Sequence, residues 1–180
     1  MDKSILEKLP NGDIVGNSLI ELVLVHNVLK NVNPNNIKQT SIDVTLYNVI
    51  ELEDTNTPKI LTPGLDKLST TSFSLENQDY ILKPNEFILG GLIEIFDMPL
   101  NVSATFFLTS TFGRIGVQHS IAINIVPGWQ GMLTLELFNH LRYSSVKLVN
   151  KAVIGTIIFR KHNQVMPYTG KYNNLYTVLS

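Results

Sequence analysis

Short runs in which apolar and polar residues alternate fill most of the chain after residue 80. The runs are, in chain order, YILKP, EFILGGLIEIF, SATFFLTS, SIAINIVP, GMLTLELF, VKLVN and AVIGTIIF, and Gly, Pro and Asn residues separate them. An alternation with a period of two places successive side chains on opposite faces of a strand. Residues 41–53, SIDVTLYNVIELE, repeat the pattern earlier in the chain. The chain therefore predicts a mainly β fold, either a sandwich or a barrel.

Two stretches depart from this alternation. Residues 1–30 carry apolar residues at spacings that predict one or two short N-terminal helices, and these residues are Ile5, Leu6, Leu9, Leu19, Ile20, Leu22 and Leu24. Residues 54–79 contain Pro58, Pro63, Gly64 and many Ser and Thr residues, which predicts a long loop or an irregular hairpin. No linker, internal repeat or low-complexity segment divides the chain, so we expect a single domain over residues 1–180.

The composition excludes several classes of function. The chain of 180 residues has a net charge of −1, which argues against the basic surface that nucleic acid or an anionic membrane requires. Cysteine is absent, so disulfides, thiolate zinc sites and cysteine catalysis are excluded. No apolar run is long enough to span a membrane and no leader pattern opens the chain, which predicts a cytoplasmic protein. Only 16% of the residues are charged, and this low figure fits an oligomer.

The segment LTSTFGRIGV, residues 108–117, combines hydroxyl groups with glycines and an arginine between two predicted strands. Hydroxyls and exposed amides hold phosphate oxygens, and an arginine adds a planar set of donors. The small residues also let a ligand approach the backbone closely. Ser110, Thr111, Gly113 and Arg114 are therefore candidates for anion binding. On the segment alone, an ordinary turn with a solvated arginine is the preferred interpretation.

A second segment, NIVPGWQGMLTLELFN over residues 124–139, predicts a strand with a carboxylate on one face. Leu133, Leu135 and Leu137 would share the face towards the core, so Glu136 would project from the opposite face. If that face is covered, desolvation raises the proton affinity of the carboxylate, which suits a general base. A solvent-facing glutamate, or one paired with Arg114 or Arg142 for structure, is the alternative that spacing alone favours.

Histidines and the single tryptophan carry weaker signals. No two histidines have the spacing of metal ligands, so the sequence predicts surface or turn positions for all four, which are His26, His119, His140 and His162. We interpret Trp129 as a packing or subunit-contact residue and not as a platform for a nucleotide base.

Taken together, four segments resemble the dCTP deaminase family of the trimeric dCTP deaminase and dUTPase superfamily. STFGRIGV resembles its motif Ser-Ser-Leu-x-Arg-Leu-Gly-Leu, and PGWQGMLTLELFN resembles Pro-Gly-Trp-x-Gly-x-x-x-Leu-Glu-hydrophobic-x-Asn. KPNEFILGGLIEIFDMPLNVSATF over residues 83–106 and SIDVTL over residues 41–46 are similar to two earlier motifs. Order and spacing agree from about residue 31 to residue 172. The resemblance implies a dUTPase-like distorted β-barrel of jelly-roll type, and a homotrimer with active sites between subunits.

The resemblance also implies roles for particular residues in the deamination of dCTP to dUTP and ammonia. Glu136 matches the catalytic glutamate, which activates water for attack at cytosine C4, while Arg114 and Ser110 match residues that orient the reactants. Lys171 and Tyr172 match a C-terminal pair that closes over the triphosphate. Magnesium on the triphosphate is expected and zinc is not. The residues expected to bind the deoxycytidine nucleotide are Thr109, Thr111, Gly113, Ile125, Gln130, Tyr168, Lys171 and Tyr172.

Several positions depart from the family pattern. Thr109 replaces an arginine, Val126 replaces an aspartate, Leu175 replaces a glutamine, and Val149-Asn150-Lys151 replaces a Pro-Gly turn. Valine has no carboxylate to activate water against a phosphate, so Val126 disfavours a dUTP pyrophosphatase or a bifunctional enzyme. Two alternatives to the deaminase remain: a non-catalytic nucleotide-binding or regulatory protein of the same fold and, less favoured, a dUTP pyrophosphatase.

Overall fold

The computed structural model describes residues 9, 11–56, 59–120, 123–164 and 167–178. Helix α1 (Asn17–Leu24) buries Leu19, Leu22 and Val23 on one face and exposes Ile20 and Leu24 on the other. This helix confirms the prediction of a short N-terminal helix, whereas a helix at Ile5 and Leu6 would lie outside the described residues. The other helical segments are a 3₁₀ turn (Pro34–Asn36) and the five-residue α2 (Ser110–Arg114).

Strands account for most of the remaining regular structure. Those of the described residues are β1 (Gly12–Asp13), β2 (Leu29–Lys30), β3 (Ile42–Thr45), β4 (Val49–Glu53), β5 (Thr70–Ser74), β6 (Tyr80–Leu82), β7 (Phe87–Asp97), β8 (Val102–Leu108), β9 (Val117–His119), β10 (Asn124–Ile125), β11 (Gln130–Asn139), β12 (Val146–Leu148) and β13 (Val153–Lys161). The mainly β prediction is therefore confirmed.

The strands form three sheets, and every pair within them is antiparallel. One sheet has the order β1-β13-β8-β10, with β3 also paired to β13; the second has the order β5-β4-β7-β11-β9, with β2 paired to β7; the third joins β12 to β6. The pairings of the described strands do not close into a barrel. Barrel closure and the jelly-roll arrangement therefore remain predictions.

Alternation along the strands sorts side chains between the core and the outer faces. On β8, Val102, Ala104 and Phe106 are buried, while Ser103 and Thr105 are half-buried on the opposite face. Burying one such apolar side chain stabilises the fold by roughly 1.5–3 kcal/mol. Buried residues of both large sheets belong to one hydrophobic cluster, so the two sheets share a core.

The irregular stretch after residue 53 forms the loop of a hairpin. Strands β4 and β5 pair from Val49 opposite Ser74 to Glu53 opposite Thr70. A hydrogen bond from the amide of Asp54 to the carbonyl of Ser69, 2.9 Å long, closes the loop between them. The prediction of an irregular hairpin is confirmed.

Strand β11 crosses the second sheet between β7 and β9, and its pairing with β7 contains a bulge. The register shifts by two residues between Met132 and Thr134, with the extra residues on β7. Leu135 and Leu137 are fully buried, and the half-buried Leu133 packs against the hydrophobic core. The prediction that the three leucines share the core-facing side is therefore confirmed, because a shift of two residues on the neighbouring strand leaves the alternation of β11 unchanged.

Candidate functional site

Glu136 lies near the end of β11, on the face opposite Leu135 and Leu137. Its side chain is 31% exposed, yet its Oε2 atom is buried and has no hydrogen-bond partner among the described residues. Among those residues, the glutamate forms no ion pair with Arg114 or Arg142, and its ionic contact is to a histidine. The described part of the chain therefore does not contain the structural pairing with Arg114 or Arg142 that the sequence left open.

His119 provides that ionic contact. Its Nδ1 atom lies 3.5 Å from Oε2 of Glu136 and 3.4 Å from the main-chain oxygen of the same residue. The ring meets the edge of Phe106 at a centroid distance of 5.2 Å, and the side chain is only 3% exposed. The prediction of a surface position was wrong for this residue. The signal that could have found it is the alternation Val117 inward, Gln118 outward, His119 inward on β9.

The other histidines divide between the interior and the surface. His26 lies in the turn after α1, as predicted, but its side chain is only 6% exposed and lies 3.7 Å from Glu21. His140 is exposed, and the half-buried His162 shares a hydrogen bond of 2.7 Å with Ser103.

Helix α2 presents its candidate residues to solvent. Ser110, Thr111, Gly113 and Arg114 are exposed, and a Cβ atom on Gly113 would have no neighbour within 4 Å. Thr109 precedes the helix, and its buried Oγ1 has no hydrogen-bond partner among the described residues. The helix packs against β9, which pairs with β11. The fold thus brings α2 and Glu136 onto neighbouring elements without a contact between their candidate side chains in the described part of the chain.

The C-terminal segment, residues 167–178, docks against the opposite end of β11. Indole Nε1 of Trp129 donates to the carbonyl of Tyr172 at 2.5 Å, and the amide of Gln130 donates to Oδ1 of Asn173 at 2.8 Å. The Met132 amide then donates to the carbonyl of Leu175 at 2.7 Å. These bonds run along the edge of the strand, so the segment is held by both side-chain and main-chain groups.

Glycines make this docking possible. Gly131 has a φ of +146° and forms a parallel bridge with Leu175; a Cβ atom there would lie 2.5 Å from the Leu175 carbonyl oxygen. Gly128 has a φ of +77°, and a Cβ atom there would lie 3.0 Å from the Tyr168 nitrogen. Because Leu175 docks through its backbone, the loss of the family's glutamine side chain at this position leaves the attachment intact.

The predicted nucleotide contacts of the tail lie at this docking site. Lys171 and Tyr172 are exposed, with Nζ of the lysine 5.0 Å from the centre of the tyrosine ring. They line an open cavity of about 390 Å³, together with Gly64, Leu65, Asp66, Lys67 and Leu175. The hydroxyl of Tyr168 accepts a hydrogen bond of 3.4 Å from the amide of Tyr172. Gln130 already uses its side-chain Nε2 to donate to Asp97 at 2.7 Å.

Residues before the tryptophan line a larger cavity. Val126 is 38% exposed and borders an open cavity of about 450 Å³. The side chain of its neighbour Ile125 is buried in the core, so a nucleotide would meet mainly the backbone of that residue. The ring of Trp129 packs against Phe96 at a centroid distance of 5.7 Å, which agrees with the packing interpretation.

The candidate residues therefore fall into two groups at the two ends of one strand. Glu136 and Gln130 are six positions apart on β11, which at about 3.3 Å per residue separates them by roughly 20 Å. Among the described residues, no group of three or more His, Asp or Glu side chains is arranged to hold a metal ion. No helix in the described segments is long and apolar enough to cross a membrane.

Comparison with known proteins identifies a family and several relatives that this chain resembles. A model of the dCTP deaminase-like family matches residues 15–162. The dUMP-forming dCTP deaminase of Leifsonia xyli subsp. xyli is 35% identical over 126 residues, which cover 68% of this chain and 62% of that protein. The dUMP-forming dCTP deaminase of Pseudarthrobacter chlorophenolicus is 32% identical over 155 residues, which cover 83% of this chain and 81% of that protein.

A solved structure shares the fold. The crystal structure of 2'-deoxycytidine 5'-triphosphate deaminase from Agrobacterium tumefaciens aligns with a TM-score of 0.67 at 19% identity, over 84% of this chain and 48% of that chain. This chain thus spans less than two thirds of the Leifsonia protein and about half of the Agrobacterium chain. The family match includes α2, β9 and β11, the elements that carry the candidate residues. The chain belongs to the dCTP deaminase-like family.

Proposed function

We propose that this protein deaminates dCTP by hydrolysis, with Glu136 as the group that takes up and returns the protons. The observation that carries the proposal is the position of the Glu136 carboxylate, which is partly covered: its Oε2 atom is buried, while the side chain as a whole is 31% exposed. A carboxylate that is partly shielded from solvent but still reachable by a ligand is suited to accept a proton from water. The family and the names of the relatives supply the substrate.

Each proposed catalytic residue has its own task. Glu136 takes a proton from a water molecule, whose oxygen bonds to C4 of the cytosine ring, and passes that proton to the ring nitrogen N3. Glu136 then takes the proton of the new C4 hydroxyl and delivers it to the exocyclic nitrogen; the bond from C4 to that nitrogen breaks, a C4 carbonyl forms, and the nitrogen leaves as ammonia. Arg114 and Ser110, both exposed on α2, orient the water and the nucleotide.

The phosphates are bound by hydroxyl groups and by the tail. Thr109, Thr111 and Lys171 contribute polar contacts, and Tyr172 covers the nucleotide. The remaining proposed contacts are Gly113, Ile125, Gln130 and Tyr168. Mg²⁺ would be held mainly by the phosphate oxygens, where it would neutralise part of their charge.

We propose dUTP as the product, and Val126 supports this. The two relatives compared above are named dUMP-forming, and a dUMP product requires a group that activates water against the α-phosphate. At residue 126 this chain has an exposed valine, which has no acid–base group.

Incubation of the purified protein with dCTP and magnesium, with the products resolved by chromatography, tests the proposal. We expect dUTP and ammonia; dUMP with pyrophosphate would contradict the role given to Val126.

A homotrimer would complete the site. Glu136 and the exposed α2 residues make no side-chain contact with one another in the described part of the chain, and the tail docks roughly 20 Å along β11 from Glu136. If two subunits contribute to each site, two inactive variants will complement each other. A 1:1 mixture of Glu136→Gln and Arg114→Ala subunits, unfolded and reassembled together, should recover roughly a quarter of wild-type turnover. No recovery in a mixed trimer would place both residues in one subunit.

The same experiments distinguish the alternative of a non-catalytic member. Such a protein would bind dCTP without forming any product. The features that favour it are three departures from the family pattern, at Thr109, Val126 and Leu175. Isothermal titration with dCTP alongside the product assay separates the two: binding without turnover would support the non-catalytic protein, and turnover would exclude it.

A further inference from the structure

We infer that His119 is a positioning residue for Glu136, and that it acts by donating a hydrogen from Nδ1 to the glutamate. The inference rests on the proposed function, because it deepens the role given to Glu136. It starts from the distances: Nδ1 lies 3.5 Å from the carboxylate Oε2 and 3.4 Å from the main-chain oxygen of the same residue. One ring nitrogen therefore faces two acceptors of Glu136.

The main-chain acceptor determines the tautomer. The main-chain oxygen of Glu136 can only accept a hydrogen bond, so a bare Nδ1 facing it would place lone pairs against lone pairs in the interior. The side chain of His119 is 3% exposed, so bulk water does not relieve that repulsion. The proton on the neutral ring consequently belongs on Nδ1.

The surroundings fix the direction of the ring. Phe106, which is fully buried, meets the imidazole edge-on at an interplanar angle of 89°. The ladder between β9 and β11 pairs His119 with Leu137, and the amide of Ser120 donates to the carbonyl of Glu136 at 3.0 Å. With backbone and ring both held, the Nδ1–H group has one direction, towards the glutamate.

The consequence for the carboxylate is an asymmetry between its two oxygens. Oε2 is buried beside the histidine, whereas the side chain as a whole keeps 31% exposure, so the exposed part includes the other carboxylate oxygen. Holding one oxygen orients the other towards the side from which a ligand arrives. Misplacement of a reacting group by about 1 Å can cost on the order of 100-fold in rate, so this orientation bears on kcat.

Three substitutions at residue 119 separate positioning from simple packing. The amide nitrogen of an asparagine reaches about the position of imidazole Nδ1, while that of a glutamine reaches about the position of Nε2. His119→Asn should keep kcat within about fivefold of wild type, whereas His119→Gln and His119→Ala should lower kcat by more than about tenfold, with KM changed less than threefold. Equal losses in all three variants would overturn the inference.

A second buried histidine supplies the matched control. His26 is 6% exposed and lies 3.7 Å from Glu21. This glutamate belongs to helix α1 and has no proposed role in catalysis. His26→Ala removes a buried imidazole beside a glutamate and should lower the melting temperature while leaving kcat unchanged. A loss of kcat in His26→Ala equal to that in His119→Ala would mean that destabilisation explains both, and the inference would fail.

Nitrogen NMR of ¹⁵N-histidine-labelled protein tests the contact without any turnover. We expect Nδ1 of His119 to carry the proton, and we expect Glu136→Gln to move this resonance but not those of His26. A proton on Nε2 with a bare Nδ1 would overturn the inference whatever the activity. Wild-type protein that leaves dCTP unchanged would refute the proposed function and the catalytic meaning of the contact, while the NMR result would still decide whether His119 holds Glu136.

Discussion

The two ends of β11 carry the two halves of the candidate site and are built differently. At the Glu136 end the strand lies between β7 and β9; Glu136 contacts His119, whose side chain is buried, and Asn139 of the same strand is fully buried. At the Gln130 end the contacts are to the C-terminal segment, over 40 residues away in sequence, and its Lys171 and Tyr172 are exposed. One end is therefore fixed by the interior, and the other by a segment laid on the surface.

This difference leads us to expect that the two ends of β11 contribute to different properties of the protein. Buried hydrogen bonds are costly to break, because each leaves a polar group without solvent. Contacts of an exposed segment break at a much lower cost in free energy, and local unfolding begins in such regions. We expect changes at the Glu136 end to affect kcat and stability, and changes at the Gln130 end to affect nucleotide affinity. The following predictions test that contrast, from the largest effect to the smallest.

Glu136→Gln should give the largest effect. The amide keeps the shape of the side chain but cannot accept a proton, so turnover of dCTP should fall by about 10²–10⁴-fold or more. Binding of dCTP, measured by calorimetry, and the melting temperature should stay close to wild type. Unchanged turnover would remove the assigned role of Glu136 and would end the contrast between the two ends of β11.

Asn139→Ala should show that the same end supports the fold. Asn139 is fully buried; its Nδ2 lies 3.1 Å from the carbonyls of Leu82, Lys83 and Ser144, and its Oδ1 accepts from the amide of Leu141 at 3.0 Å. Removing the amide leaves these groups unsatisfied, at a cost of about 3 kcal/mol in the free energy of unfolding.

Urea denaturation measures this cost, and Asn163→Ala is the control, because Asn163 is exposed. The control should change the unfolding free energy by less than about 0.5 kcal/mol. If Asn139→Ala were as mild as the control, the Glu136 end would not be anchored by this network.

Gly131→Ala should affect the opposite end of β11. The new Cβ atom would lie 2.5 Å from the carbonyl oxygen of Leu175, at a φ of +146°, so the tail must move. We expect KM for dCTP to rise roughly tenfold, about 1.4 kcal/mol, with a smaller change in kcat. Faster cleavage of the tail by a protease under native conditions should accompany the change.

A chain that ends before Lys171 provides the comparison for this prediction. If the glycine acts only through the tail, adding Gly131→Ala to the shortened chain should raise KM no further, since the two changes then remove the same interaction. A further additive increase would mean that the bulged start of β11 matters to nucleotide binding independently of the tail.

The smallest effect is expected at Glu94 on β7, whose Oε2 accepts a hydrogen bond of 2.9 Å from the amide of Thr45. Burial raises the pKa of Glu94 above its ordinary value of 4.5. The folded protein then binds a proton that the unfolded chain releases, so stability falls as pH rises from 4.5 to the raised pKa. Glu94→Gln keeps an acceptor and should flatten this part of the stability curve; an unchanged slope would contradict the assignment.

Part of this picture was predictable from the sequence. The mainly β fold and the outward direction of Glu136 follow from alternation, and the hairpin after residue 53 follows from its Pro, Gly, Ser and Thr content. Both signals depend only on neighbours along the chain. The bulge after Met132 was not predictable, because it is set by pairing with β7. The burial of His26 and His119 was missed for a similar reason, since a histidine at a strand or turn position carries no mark of the side it will face.

The sequence by itself determined which residues are candidates for the chemistry and which segments become strands. Local alternation sets strand faces, and the motif residues around Ser110, Arg114 and Glu136 establish the family. Only the tertiary structure decided that His119 lies beside Glu136 and that the tail docks along Gly131. Both contacts join segments that lie on separate strands or far apart in the chain. The contact of His119 depends on the register between β9 and β11, and the docking of the tail depends on the space that Gly131 leaves because it has no side chain. No local sequence pattern specifies either of these.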